Sequence, residues 1–181
     1  SKSYLSVSQN QFDTNPYLLN CKNGTVDLKT GELLPHNSNN FFTKLVPYNY
    51  DKYAQTHAFD GFLKSVQLNP EIRKFIQRSI GYSLLGIARE RSFWILYGNG
   101  NNGKSIFIDL FSELLNDYAS STTSASVMNQ KTDRIPNDIA RLNGKRFVVI
   151  PETEENERFN ASLIKALSAG DKITARFLFG E

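Results

Sequence analysis

Short apolar runs broken by turn residues mark the first part of the chain, and a helical period follows. In "NPYLLNCKNGTVDLKTGELLPH" the Asn23-Gly24 pair sits between two such runs, which predicts a β-hairpin. A second turn at Lys29-Thr30-Gly31 extends it to a small meander. Residues 1–53 therefore read as a β-rich module. From Ala54 the pattern turns helical, and residues 54–90 form a helical segment. Within it "NPEIRKFIQRSIGYSLLG" has a cap at Asn69, Pro70 at the first helical position and Glu71 in the first turn. Ile72, Phe75, Ile76 and Ile80 recur at helix spacing, so one face is expected to be buried. Arg73, Lys74 and Arg78 lie off that stripe, as a solvated face or as contacts to nucleic acid or a neighbouring subunit.

Beyond Arg89-Glu90-Arg91 the order becomes strand, glycine loop, helix, polar linker, strand, helix, strand, which predicts an α/β layer with a parallel sheet over 91–181. "SFWILY" (Ser92–Tyr97) is continuously apolar and aromatic, as a strand buried on both faces would be. "ASSTTSAS" (Ala119–Ser126) reads as the polar linker. Phe147 to Ile150 is a β-branched run that must stop at Pro151. The final stretch predicts a helix capped by Asn160 and stopped at Gly170, with Leu163, Ile164 and Leu167 on one face. A strand with Ile173, Ala175 and Phe177 on one side and Lys172, Thr174 and Arg176 on the other follows.

Between the first of these strands and the next helix lies G-N-G-N-N-G-K-S: Gly98, Asn99, Gly100, Asn101, Asn102, Gly103, Lys104 and Ser105. It satisfies the spacing G-x-x-x-x-G-K-[ST]. Phe107, Leu110, Phe111, Leu114 and Leu115 then set out the buried stripe of an amphipathic helix. Strand, loop and helix occur in the order that makes a P-loop. Glycine and asparagine tolerate the left-handed angles that turn successive N–H groups towards an anion. Lys104 would reach the β- and γ-phosphates of ATP, and the Ser105 hydroxyl would take a place on Mg²⁺. Chance alone produces these four constrained positions in a chain of this length roughly once in a few hundred cases.

Hydrolysis needs an acid beside that metal. Glu152, at the end of the Phe147–Ile150 run, is the candidate metal and catalytic residue, with Glu154 in reserve. The alternative is a solvated acidic turn made of Glu152, Glu154, Glu155 and Glu157. Lys172 and Arg176, on one face of a projecting strand, meet a phosphate backbone or simply water.

Composition adds limits. Forty per cent hydrophobic and 22% charged residues are ordinary for a globular chain, and no run approaches the ~18 apolar residues of a membrane helix. Nothing at the N-terminus reads as a signal peptide. The single cysteine, Cys21, has no internal disulfide partner, which favours a reducing, cytoplasmic setting; an inert strand residue is the simpler reading of it than a reactive thiol. Net charge is +3, with pI ≈ 8.9. Residues 1–90 carry ten Lys/Arg against seven Asp/Glu, whereas 91–181 carry eleven against eleven, so the half with the glycine loop is not basic. His36 and His57 have no second ligand at metal spacing. Tyr48, Tyr50 and Tyr53 are open to base stacking or to packing.

"FWILYGNGNNGKS", "IARLNGKRFVVIPETEE" and "LIKALSAGDKITARFLFGE", in this order and at these distances, resemble the phage, plasmid and poxvirus primase–helicase family, superfamily 3 helicases of the AAA+ class. The upstream "LLNCKNGTVDLKTGELLPHNSNNFFTKLVPYNYD" resembles the module that precedes the ATPase in that family, so the likeness covers about residues 15 to 181. It implies a homo-oligomeric, usually hexameric ring that hydrolyses ATP between subunits and moves along single-stranded DNA during replication. Gly98–Ser105 match its Walker A motif and Glu152 its Walker B acid, although the acidic pair is split here as Glu-Thr-Glu. Lys165 to Phe177 match the motif leading to the DNA-contacting hairpin, whose tip here, "FLFGE", lacks lysine. The family's polar sensor and arginine finger would fall beyond Glu181, and a primase domain before Ser1. The expected architecture is thus an α/β P-loop NTPase core of AAA+ type, truncated at its C-terminus, behind a β-meander and helical module. Weak ATP binding and poor turnover are expected of the 181 residues alone.

Two other readings remain open on the residues. A small P-loop phosphotransferase would be indifferent to DNA and would need an arginine-bearing lid, which the sequence does not show. A nucleotide-gated oligomerisation or DNA-binding module would hold single-stranded DNA without turnover.

Overall fold

The computed structural model describes residues 8–129, 137–151 and 158–171. Its contacts divide the chain into two units: Ser1–Leu85 with Leu114–Tyr118, and Gly86–Glu113 with Ala119–Glu181. The described residues form an α/β structure with small sheets.

In the first unit, β1 (Leu18–Cys21) and β2 (Gly24–Asp27) pair antiparallel around Lys22-Asn23. Gly24 is required there. Its φ is 155°, and a Cβ would lie 2.5 Å from the Leu34 carbonyl oxygen. Asp27 then turns the chain, its carboxylate accepting from Lys29 N–H at 2.8 Å and its carbonyl from Gly31 N–H at 2.7 Å. β3 (Glu32–Leu34) completes an antiparallel meander. Leu19 and Cys21 alternate into the interior, and Val26, opposite Leu19, joins them.

The Lys44–Tyr48 stretch runs beside β1. Val46 N–H donates to Asn20 O at 2.9 Å and Lys22 N–H to Tyr48 O at 3.1 Å. Asn23 clamps Tyr50 by two reciprocal 2.9 Å bonds, and the Tyr50 hydroxyl donates to Gly31 O at 2.9 Å, so Tyr50 is a structural tyrosine. Tyr118 is 1% exposed, with its hydroxyl 3.4 Å from both Lys44 O and Asn20 N. Its neighbour Asp117 accepts from Leu45 N–H at 3.0 Å.

Two helices follow, α1 (His57–Val66) and α2 (Pro70–Leu84). Asn69 caps α2 as expected, its side chain accepting from Glu71 N–H at 2.9 Å. The expected burial of the α2 stripe holds only in part: Ile76 and Ile80 are half-buried, but Ile72 is 42% and Phe75 55% exposed, and no α2 residue is fully buried. Periodicity places apolar side chains on one side of a helix, but covering them requires a facing surface, which the described residues supply only in part. Arg73 donates to Gln67 O at 2.6 Å and Leu68 O at 2.7 Å. It ties down the carbonyls after α1 rather than facing solvent, while Lys74 pairs with Glu71 at 3.0 Å on the surface.

In the second unit the expected strand Ser92–Tyr97 is not in a ladder among the described residues. Its side chains are open, from Trp94 at 39% to Tyr97 at 89% exposed. An apolar run specifies what a strand buries, whereas the ladder depends on a distant partner. α3 (Lys104–Leu115) starts at the end of the glycine loop. Phe111 and Leu115 of its predicted stripe are buried and Phe107 partly so, while Leu110 and Leu114 are exposed.

The polar run read as a linker contains a strand instead. β4 (Ala119–Ser121) pairs parallel with β5 (Phe147–Val149) in the register Ala119↔Phe147, and Thr122 N–H continues the ladder to Val149 O at 3.0 Å. Serine-rich composition hid it because the pairing is made with residues almost thirty positions away.

Between these strands lies the short α4 (Asn137–Ala140), and α5 (Ala161–Ala169) follows β5. α5 is capped as the sequence predicts. Asn160 accepts from Leu163 N–H at 3.0 Å, and Gly170, at φ 71°, ends the helix. Val127, Met128, Ile139 and Leu163 form the core of this unit, with Leu142, Ile150, Ile164 and Leu167 packed on it. Each fully buried aliphatic side chain there contributes about 1.5–3 kcal/mol. The predicted strand at 172–177 lies outside the described residues.

Candidate functional site

The site is built from the loop that joins 92–97 to α3. Gly100 (φ 71°), Asn101 (φ 45°) and Gly103 (φ 79°) take left-handed angles, so at these three positions the glycine and asparagine content meets a backbone need, whereas Asn99 and Asn102 are not left-handed. Residues of this kind bring successive N–H groups to one side of a turn. Gly100 N–H donates to Gly98 O at 3.0 Å, tightening the entry to the loop. Phe107 N–H makes the first helical bond, to Gly103 O at 3.0 Å. The N–H groups of Lys104, Ser105 and Ile106 therefore stand at the helix start without an intrahelical acceptor, at its positive end.

Lys104 is folded over this loop. Its ammonium donates to Gly98 O at 3.0 Å and to Asn102 Oδ1 at 2.9 Å. Gly98 has φ 154°, and the Asn102 amide nitrogen occupies the place a Cβ on Gly98 would take. Around Gly100, by contrast, an added Cβ would meet nothing within 4 Å, so that side of the loop is open. Ser105 is exposed on the first turn of α3, and Asn99 and Asn101 are exposed on the loop.

Of the sequence-derived candidates, Gly98, Asn102 and Lys104 are thus in mutual contact, with Ser105 next along the chain. A phosphate group fits what is present: left-handed turns, helix-start N–H groups without an intrahelical acceptor, a lysine and an open face. Glu152, Glu154, Lys172 and Arg176 lie outside the described residues. Phe147–Val149 does form the strand that leads towards Glu152. Among the described residues no three His, Cys, Asp or Glu side chains cluster as metal ligands, and no helix is long and apolar enough to cross a membrane.

What the motif does not announce is the Asn102 side chain. The spacing rule leaves its position unspecified; the only signal was an acceptor two residues before the lysine.

Among the described residues, Cys21 and Asp13 are the groups whose environments shift them. Burial in β1 pushes the Cys21 thiol up to about 11, which fits an inert strand residue. For Asp13, burial raises the carboxyl. Lys44 at 2.7 Å, the Thr43 hydroxyl and Thr43 N–H at 2.9 Å outweigh that and leave it below its ordinary value.

Comparison with known proteins agrees with the resemblance. Residues 1–68 match the family described as "D5 N terminal like", and residues 96–180 match a "Family of unknown function (DUF5906)". The chain is 29% identical over 185 residues to a protein of Acanthamoeba polyphaga mimivirus named "Putative helicase", covering 93% of this chain and 18% of that protein. It is 28% identical to a "Putative helicase" of Invertebrate iridescent virus 3, over 92% of this chain and 19% of the relative. A "Putative primase" of African swine fever virus is 25% identical over 92% of this chain and 18% of the relative. The chain therefore spans less than a fifth of the length of these relatives. The D5-type N-terminal match and the viral relatives together support a likeness of this chain to the phage and viral primase–helicase family.

Proposed function

We propose that Gly98–Ser105 binds the polyphosphate of ATP and that the chain is the nucleotide-binding part of an ATP-dependent DNA helicase. The observation that carries this is the loop geometry: three left-handed residues leading into α3, with the Lys104 ammonium folded over them. That arrangement supplies backbone donors and one cation to a group carrying several negative charges. Mg²⁺, when bound with the nucleotide, would neutralise charge developing on the β- and γ-phosphates. Ser105 would offer it a hydroxyl, and Glu152, with Glu154, an acid following β5. Lys172 and Arg176 would contact single-stranded DNA, and a homo-oligomeric ring would join neighbouring subunits around it.

ATP hydrolysis measured with and without single-stranded DNA tests the reading. It calls for a chain extended past Glu181, beside its Lys104→Ala and Glu152→Gln variants. DNA-stimulated turnover in the parent, lost in both variants, is the expected result. Turnover that ignores DNA, or that survives Lys104→Ala, would overturn it. Binding of DNA without any turnover would point to a nucleotide-gated module instead.

A further inference from the structure

We infer that the Asn102 side chain is a latch on Lys104, holding the ammonium against the loop until a phosphate oxygen takes the place of the Asn102 amide oxygen. The inference rests on the reading of Gly98–Ser105 as a polyphosphate cradle and concerns the regulation of that site. Two relationships fix Asn102 in this role. Its Oδ1 accepts from Lys104 Nζ at 2.9 Å, beside the 3.0 Å bond from the same ammonium to Gly98 O. Its Nδ2 is seated against Gly98, in space that only the missing side chain leaves open. The amide is thus wedged between the first glycine of the loop and its lysine.

The first glycine consequently has a second use besides its backbone angle: it makes room for the latch. Asn102 is not among the left-handed residues, so its side chain is not there to satisfy the turn. A neutral amide oxygen accepts from an ammonium less strongly than an anionic phosphate oxygen does. A polyphosphate therefore displaces it, while the lysine stays bound to the loop in the meantime. Apparent affinity is reduced by the fraction of chains in which the latch is closed. Asn102 is in this sense a positioning residue, acting through Lys104.

The test reads Lys104 directly. Its acetylation rate is followed by peptide mass spectrometry in the full 181-residue chain, without nucleotide, for the wild type, Asn102→Ala, Asn102→Leu and Asn102→Asp. Calorimetry with inorganic tripolyphosphate is run on the same four proteins, and melting temperatures check folding. Asn102→Ala and Asn102→Leu should acetylate at Lys104 about tenfold faster, the effect of one lost hydrogen bond to a charged group, and bind tripolyphosphate several-fold more tightly. Asn102→Asp, a charged acceptor, should acetylate more slowly and bind more weakly. An unchanged acetylation rate in folded Asn102→Ala and Asn102→Leu overturns the latch. So does weaker tripolyphosphate binding in those two, which would make the amide a phosphate donor. Faster acetylation with no tripolyphosphate bound by any of the four keeps the latch and overturns the cradle reading beneath it.

Discussion

Lys104 Nζ lies 3.0 Å from the carbonyl oxygen of Gly98, six residues earlier, so the lysine that ends the glycine loop closes on the residue that begins it. On the function proposed above, this cation held over the loop would meet an anion. Lys104→Ala should therefore weaken ATP and tripolyphosphate binding by at least about tenfold, the loss of a charge-assisted contact. Equal affinity in the wild type and Lys104→Ala, measured by calorimetry, would remove the lysine from the site.

Asp13 and Lys44 form a second such pair, 2.7 Å apart and mostly buried in the first unit, with Thr43 completing the carboxylate's partners. The folded-state pKa of Asp13 lies below the ordinary 3.8. Its contribution to stability is therefore fully present above that value and is lost as pH falls through the lower folded-state value. Asp13→Asn should cost about 1 kcal/mol at neutral pH. Urea midpoints compared from neutral pH to well below 3.8 should show the gap between the two proteins closing. A gap that stays constant with pH would show that the pair's charge contributes nothing.

Cys21 is 3% exposed and its thiol is raised by burial from 9.0 to about 11. Such a rise lowers the thiolate fraction at neutral pH, and burial restricts access as well. An Ellman-type reagent should accordingly react with native Cys21 on the order of a hundredfold more slowly than with the urea-unfolded chain. Comparable rates in both states would mean that β1 opens readily.

Gly24 faces the Leu34 carbonyl oxygen with no room for a methyl group. Gly24→Ala should destabilise the first unit by about 1–3 kcal/mol, through strain at the turn and disruption of the β2–β3 pairing. Thermal unfolding of the variant checks this, and a melting temperature equal to the wild type's would show that the meander relaxes freely.

Four parts of this protein were legible in the residues because they are settled within a few positions of the chain. The Asn23-Gly24 hairpin, the Asn69-Pro70 cap of α2, the Asn160 and Gly170 ends of α5, and the loop entering α3 at Lys104 are all of this kind. Each depends on a dihedral preference or a hydrogen bond between near neighbours, and near neighbours are what a sequence displays. The resemblance to primase–helicases also came from local motifs, in a fixed order.

Tertiary structure alone decided the rest. It left Ile72 and Phe75 uncovered and Ser92–Tyr97 outside a ladder among the described residues, and it gave Ala119–Ser121 a parallel partner in Phe147–Val149. It turned Arg73 back onto the carbonyls after α1 and set the Asn102 amide against Gly98. Burial and strand pairing join groups far apart along the chain. Periodicity can name the face or the run that needs a partner, but only the folded chain brings one to it.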